Sequence, residues 1–166
     1  DPDVEATLAQ LLFATNPKQA VRHADTALKA PTINVESQLN ALYALASHHH
    51  SQHRPGKSLE YLDQLIQIRR NASDWEMRGL CQLQQRKLPA AIESLQTAVA
   101  IDPELLPAHD LLARLFDDLI EGGVTLFTYV PHSGNAKLIE LANSHNQAQT
   151  VLLASEEEGV AICAGA

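Results

Sequence analysis

Rings are scarce in this chain: one tryptophan, three tyrosines and three phenylalanines make up 4% of its 166 residues. Its core must therefore be aliphatic, and apolar residues at 45% suffice for a globular protein. Cations are scarce too, 12 Lys and Arg against 20 Asp and Glu. They form no basic stripe for a phosphate backbone, which excludes nucleic acid as an expected partner. No apolar run reaches the roughly 18 residues of a membrane helix, so no membrane partner is expected. Two cysteines, Cys81 and Cys163, make no disulfide framework and favour a reducing compartment. The expected location is cytoplasmic, with a periplasmic one open if the N-terminus is processed. There is no signal-peptide pattern, and a start at Asp1 rather than Met reads as a piece of a longer chain or a processed product.

What is present is a repeat. A 34-residue frame on residues 72–105 puts Trp75 at its fourth position and Gly79 at its eighth. Ala91, Leu95, Ala98 and Pro103 follow at the twentieth, twenty-fourth, twenty-seventh and thirty-second. Small Gly79 and Ala91 suit the close approach of two antiparallel helices, and Pro103 stops the second one. Ser58, Leu62 and Leu65 hold the same second-helix positions in a unit at 39–71, whose first helix is expected over 39–49. Ala20, Ala24 and Ala27 hold them in a first unit, after a helix expected over 4–14, with Asn16 and Pro17 as N-cap and N1. The interval from Ala20 to Ser58 is longer than that from Ser58 to Ala91, which leaves room for a Pro31–Asn34 connection. A further first helix is expected after Pro107, through His109, Leu112, Ala113 and Phe116.

These spacings resemble the tetratricopeptide-repeat (TPR) consensus over residues 1–119. Arg78 stands where that pattern has Leu, and Gln82 where it has an aromatic residue. The fold expected is mainly α, an array of about three and a half helix pairs, followed by a short α/β segment. The resemblance implies a scaffold that binds a partner protein or peptide on its concave face. The first-helix positions that would face the partner are Asn40, Tyr43, Ser47 and His50 in the second unit, together with Ser51. In the third they are Ser73, Glu76, Leu80, Leu83 and Gln84, and Asp110, Arg114 and Asp117 continue the line. The Lys, Asn and Arg clamp of chaperone-binding members is missing, since Tyr43 and Glu76, Ser47 and Leu80 hold the relevant places. An exposed Leu80–Leu83 patch is expected either to bind the partner, to join copies or to dock the tail.

After Leu119 the pattern breaks. Gly122-Gly123 precedes a β-branched and aromatic run, 124–130, that reads as a strand ended by Pro131. A helix is expected over 135–144, a second strand over 150–154 and a second helix over 156–164, a β-α-β-α order that predicts a parallel α/β piece. The segment 120–166 is the second expected domain. Gly123 through Pro131, followed by Glu156-Glu157-Glu158-Gly159 and Gly165, resembles the start of the pyrimidine-binding domain of thiamine-diphosphate enzymes. The nearest likeness is to the sulfopyruvate and phosphonopyruvate decarboxylase group. That resemblance implies Glu156 as the catalytic carboxylate that meets the cofactor's aminopyrimidine, with thiamine diphosphate and magnesium as cofactors. Residues 1–119 hold no Gly-Asp-Gly with a downstream Asn, so the chain as it stands is expected to bind neither productively and to be no enzyme. A two-stranded sheet is marginal alone, so the tail is expected to pack on the repeats or on another copy.

Other features read more plainly. His48, His49, His50 and His53 are expected at a solvated polar turn rather than at a metal site, with only His49 and His53 able to share a helix face. Glu156–Glu158 also suits a solvated helix start. Asn71-Ala72-Ser73 is a glycosylation pattern by letters alone. Cys81 reads as a small core residue.

Overall fold

Polar caps and prolines write the helix starts. The computed structural model describes residues 1–129 and 136–153. The helices α1 (Pro2–Leu12), α2 (Pro17–Leu28), α3 (Val35–Ser51) and α5 (Ala72–Gln84) begin after Asp1, Asn16, Asn34 and Asn71. Each of these caps accepts a hydrogen bond from a backbone N–H two or three residues on, which satisfies a donor the helix leaves open. Prolines stand in the first turn of α1, α2, α4 (Pro55–Ile68) and α7 (Leu106–Glu121), where no helical N–H is lost. The Asn16–Pro17 start is the expected one. The helix α3 begins at Val35, not Leu39, because Asn34 caps it.

The ends of α3, α5 and α7 share one backbone device. Arg54 N–H donates to the His49 carbonyl (2.9 Å) and His53 N–H to that of His50 (3.0 Å). Lys87 donates to Gln82 (2.9 Å) and Arg86 to Leu83 (2.9 Å), and after α7 Val124 donates to Leu119 (2.9 Å) and Gly123 to Ile120 (2.9 Å). This is the Schellman pattern, with a left-handed residue after the cap: His53 at φ 53°, Arg86 at φ 59° and Gly123 at φ 87°.

Two compact units divide at Ala91, inside α6 (Leu88–Ile101), whereas the expected boundary at 119/120 follows the repeat pattern. In the first unit, α1 packs on α2 and α3, α2 on α3, α3 on α4, and α4 on α5. Its core is built of alanine and leucine: Ala6, Ala9, Ala24, Ala27, Ala41 and Leu45 on one side of α3, and Leu42, Ala46, Leu62, Leu65 and Cys81 on the other. All nine residues expected at the second-helix packing positions are fully buried: Ala20, Ala24 and Ala27; Ser58, Leu62 and Leu65; Ala91, Leu95 and Ala98. Where α4 approaches α3, Ser58 Oγ donates to the Ala46 carbonyl at 2.8 Å, so the one polar member of that set is satisfied in the core. Arg78 is accommodated because its Nε donates to Asp63 Oδ1 on α4 (2.9 Å) and its guanidinium lies over the Trp75 ring. Gln82 is buried.

In the second unit, β1 (Leu126–Tyr129) and β2 (Gln149–Leu152) pair in parallel, joined through α8 (Ala136–Ser144), as the order of elements predicted. The first strand starts two residues later than expected because Val124 N–H closes the end of α7. The second starts at Gln149, whose N–H donates to the Thr125 carbonyl (2.7 Å). Helix α8 packs on α7 and on both strands, and buried Phe116 lies 5.2 Å from Phe127 and 5.7 Å from His145, ring to ring. Val130, Pro131 and the expected helix over 156–164 lie outside the described residues.

Candidate functional site

Helices α3 and α5 face each other along one side of the first unit. Ser47 Oγ meets Met77 Sδ at 3.9 Å, and one turn further His50 Nδ1 meets Cys81 Sγ at 3.4 Å. At the other end, toward α1 and the α4–α5 turn, the surface opens into a cavity of about 360 Å³. Gln10 and Phe13 reach it from α1, Asn40 and Tyr43 from α3, and Arg69 and Ser73 from the turn and the start of α5.

One ion pair organises its wall. Arg69 donates through Nε and Nη2 to the two carboxylate oxygens of Asp74, each at 2.7 Å. Asp74 is fully buried, while Arg69 keeps 30% of its side chain exposed. The guanidinium also lies 5.5 Å from the Tyr43 ring centroid, within cation–π range. The hydrogen bonds to Asp74 hold the guanidinium above its ordinary pKa against the opposing effect of burial. Arg69 is thus engaged on two sides.

The expected partner-facing residues divide. Asn40 and Tyr43, with Ser73, line the cavity together. Ser47 and His50 continue the same face of α3 and are half-buried against α5. Glu76 is half-buried one turn along α5 from Ser73, and Gln84 is exposed at the end of that helix. Leu80 and Leu83 are half-buried on α5, so the patch expected of them is only partly exposed. Arg114 is exposed on α7, in the second unit. Glu156 lies outside the described residues, as do Gly165 and Cys163. Sequence spacing missed Gln10, Phe13 and Arg69. The first repeat shows its pattern only in the second helix, at Ala20, Ala24 and Ala27, and Arg69 sits in a turn, although the Arg69–Asp74 separation of five residues was a legible hint of an ion pair across a helix start.

The histidines correct the expectation of a solvated turn. Helix α3 runs to Ser51, so His48, His49 and His50 are helical, and His53 alone sits in the turn. His49 is 9% exposed and stacks on Tyr61. Its own burial, then the charges of His48, Lys57 and Arg54, hold its pKa below the usual imidazole value. His50 is held down by burial and then by His53. Burial raises the Cys81 thiol, although Ser58 opposes it. A reactive cysteine needs the reverse pair of shifts, so His50 and Cys81 form a neutral contact in the core rather than a nucleophilic pair. Among the described residues no group of His, Cys, Asp and Glu has the arrangement to hold a metal ion, and no helix is long and apolar enough to cross a membrane.

No protein-family model matches this chain, and no curated protein matches it.

Proposed function

We propose that residues 1–119 are a TPR-type array and that its inner face holds a segment of a partner protein in the cavity between α1, α3 and the start of α5. The observation that carries this reading is the convergence of Asn40, Tyr43 and Ser73 on one cavity. All three were selected from sequence as inward-facing positions of successive first helices. Supporting it, the packing positions of three second helices are fully buried at matching places in the frame. The turns after α3 and α5 also repeat their hydrogen bonds at the same interval as Ser58 and Ala91. A cavity with two rings, three amides and one neutralised ion pair suits an extended peptide, whose main chain needs amide partners and whose side chains need an apolar seat.

The test is photo-crosslinking in the whole chain. A benzoylphenylalanine at position 43 should capture the bound partner, and the same residue at position 60, exposed on α4 and outside the cavity, should not. Equal capture at both positions, or capture at 60 alone, moves the site to another face.

A second reading keeps the likeness of the tail to thiamine-diphosphate decarboxylases. What favours it is the parallel β1–α8–β2 unit. Titrating thiamine diphosphate with magnesium into the chain decides it: saturable binding lost in Glu156→Gln supports the enzyme reading, and none at millimolar cofactor removes it.

A further inference from the structure

The charges around the cavity say which peptides it suits. Arg69 is the charged residue among those that line it; its Nε and Nη2 are given to the Asp74 carboxylate, and its guanidinium lies over the Tyr43 ring. Its charge is compensated by the buried Asp74, so an acidic ligand meets no uncompensated cation among the described lining residues. Gln10 and Asn40 give their side-chain amides to no described residue, so a donor and an acceptor on each remain for a ligand. Asn71 differs, because its side-chain oxygen already accepts from Ser73 N–H. One helical turn beyond Ser73, on the same face of α5, stands Glu76. It is half-buried, and among the described residues it makes no hydrogen bond or ion pair. A carboxylate removed from water without a counterion costs stability, and burial accordingly raises its pKa.

Resting on the cavity as the partner site, we infer that the partner segment is basic: an apolar or aromatic side chain seats by Phe13 and Tyr43, the amides of Gln10 and Asn40 hold the main chain, and a lysine or arginine one turn along meets Glu76. The arriving cation supplies the counterion that the free protein lacks, so Glu76 weakens the fold when alone and strengthens the complex.

Panning a randomised heptapeptide display library on the whole chain tests this. Enriched peptides should carry Lys or Arg at a fixed distance from an aromatic or large aliphatic residue. A resynthesised winner should lose about tenfold or more in affinity to Glu76→Gln, a typical loss for one partner of a desolvated charge pair. It should lose a similar factor when its own basic residue becomes glutamine, with no further loss when both changes are combined. Glu76→Gln should melt no lower than the parent, which separates lost recognition from lost folding. Enriched peptides that are acidic, or that bind Glu76→Gln as well as the parent while Tyr43→Ala weakens them, overturn the charge inference and leave the cavity as a peptide site. No enrichment over uncoated wells, repeated with Tyr43→Ala as the matched control, overturns the peptide reading and this inference with it.

Discussion

The His49 ring on α3 lies flat against the Tyr61 ring on α4, with centroids 5.7 Å apart and planes 3° from parallel. The surroundings of that imidazole favour its neutral form. Burial first, then His48, Lys57 and Arg54, disfavour its protonation, and Asp25 on α2 opposes them.

Acid should therefore loosen the first unit. Both His49 and His50 have folded pKa values below the ordinary imidazole value of about 6.5. The unfolded chain then takes up protons that the folded one resists. Stability is complete above about pH 6.5 and falls as the pH drops below it, by up to about 1.4 kcal/mol per pH unit for each such proton. Urea midpoints at pH 7.5 and 5.5 measure this. His49→Phe, which keeps a ring on Tyr61, should flatten the dependence, and an equal slope in both proteins removes His49 as its source.

The Arg69–Asp74 pair should respond asymmetrically. Arg69→Met strands a fully buried carboxylate, at a cost of about 3 kcal/mol. Asp74→Asn leaves a guanidinium that is already 30% exposed and can turn to water, so it should cost about half as much. Chemical denaturation of the two variants gives the order, and the reverse order shows that Asp74 is held by other groups.

At Ser58 size matters more than polarity. Ser58→Ala loses one hydrogen bond to the Ala46 carbonyl and should cost about 1 kcal/mol, because alanine already serves at positions 20 and 91. Ser58→Leu inserts a branched chain where two helix backbones approach and should cost about 3 kcal/mol or prevent folding. Comparable melting temperatures for the two variants contradict the close approach.

Arg86 holds a left-handed backbone without glycine's freedom, and its side chain is exposed. Arg86→Gly should stabilise the chain by about 0.5–1 kcal/mol, the strain relieved exceeding the added freedom of the unfolded state. Arg86→Ala keeps the strain and should not. Urea denaturation distinguishes the two, and a loss of stability in Arg86→Gly shows that the side chain contributes more than the backbone costs.

What was legible in the sequence was whatever is repeated or capped. The alanine, serine and leucine triplets lie at helical spacing in an aliphatic core, and Asn16–Pro17 is a local signal, so periodicity found both. The tail's β-α-β order was legible because Gly122-Gly123 and the run after it switch from helical to strand chemistry. The stretch from Val35 to Gln38 was lost because the Asn34 cap that starts α3 follows a β-branched loop and looks like part of it. The cavity was only half legible. Asn40, Tyr43 and Ser73 follow from the frame, but Arg69 reaches the site by packing on Asp74 and Tyr43, which no spacing rule states. Burial of His49 was hidden because four histidines in six positions look polar by composition, and only the length of α3 turns one of them inward.

The ends of α3 and α5 are closed by main-chain hydrogen bonds in the same register, and their left-handed residues are a histidine and an arginine. A stop made by the backbone travels with the segment that carries it, whatever side chains decorate it. Residues 55–87 thus hold one outgoing helix, one returning helix and the punctuation after it, a self-terminated module. A tandem copy of that stretch would carry its own stop with it. After α7 the same punctuation is followed by a strand, so the stop places no demand on what comes next.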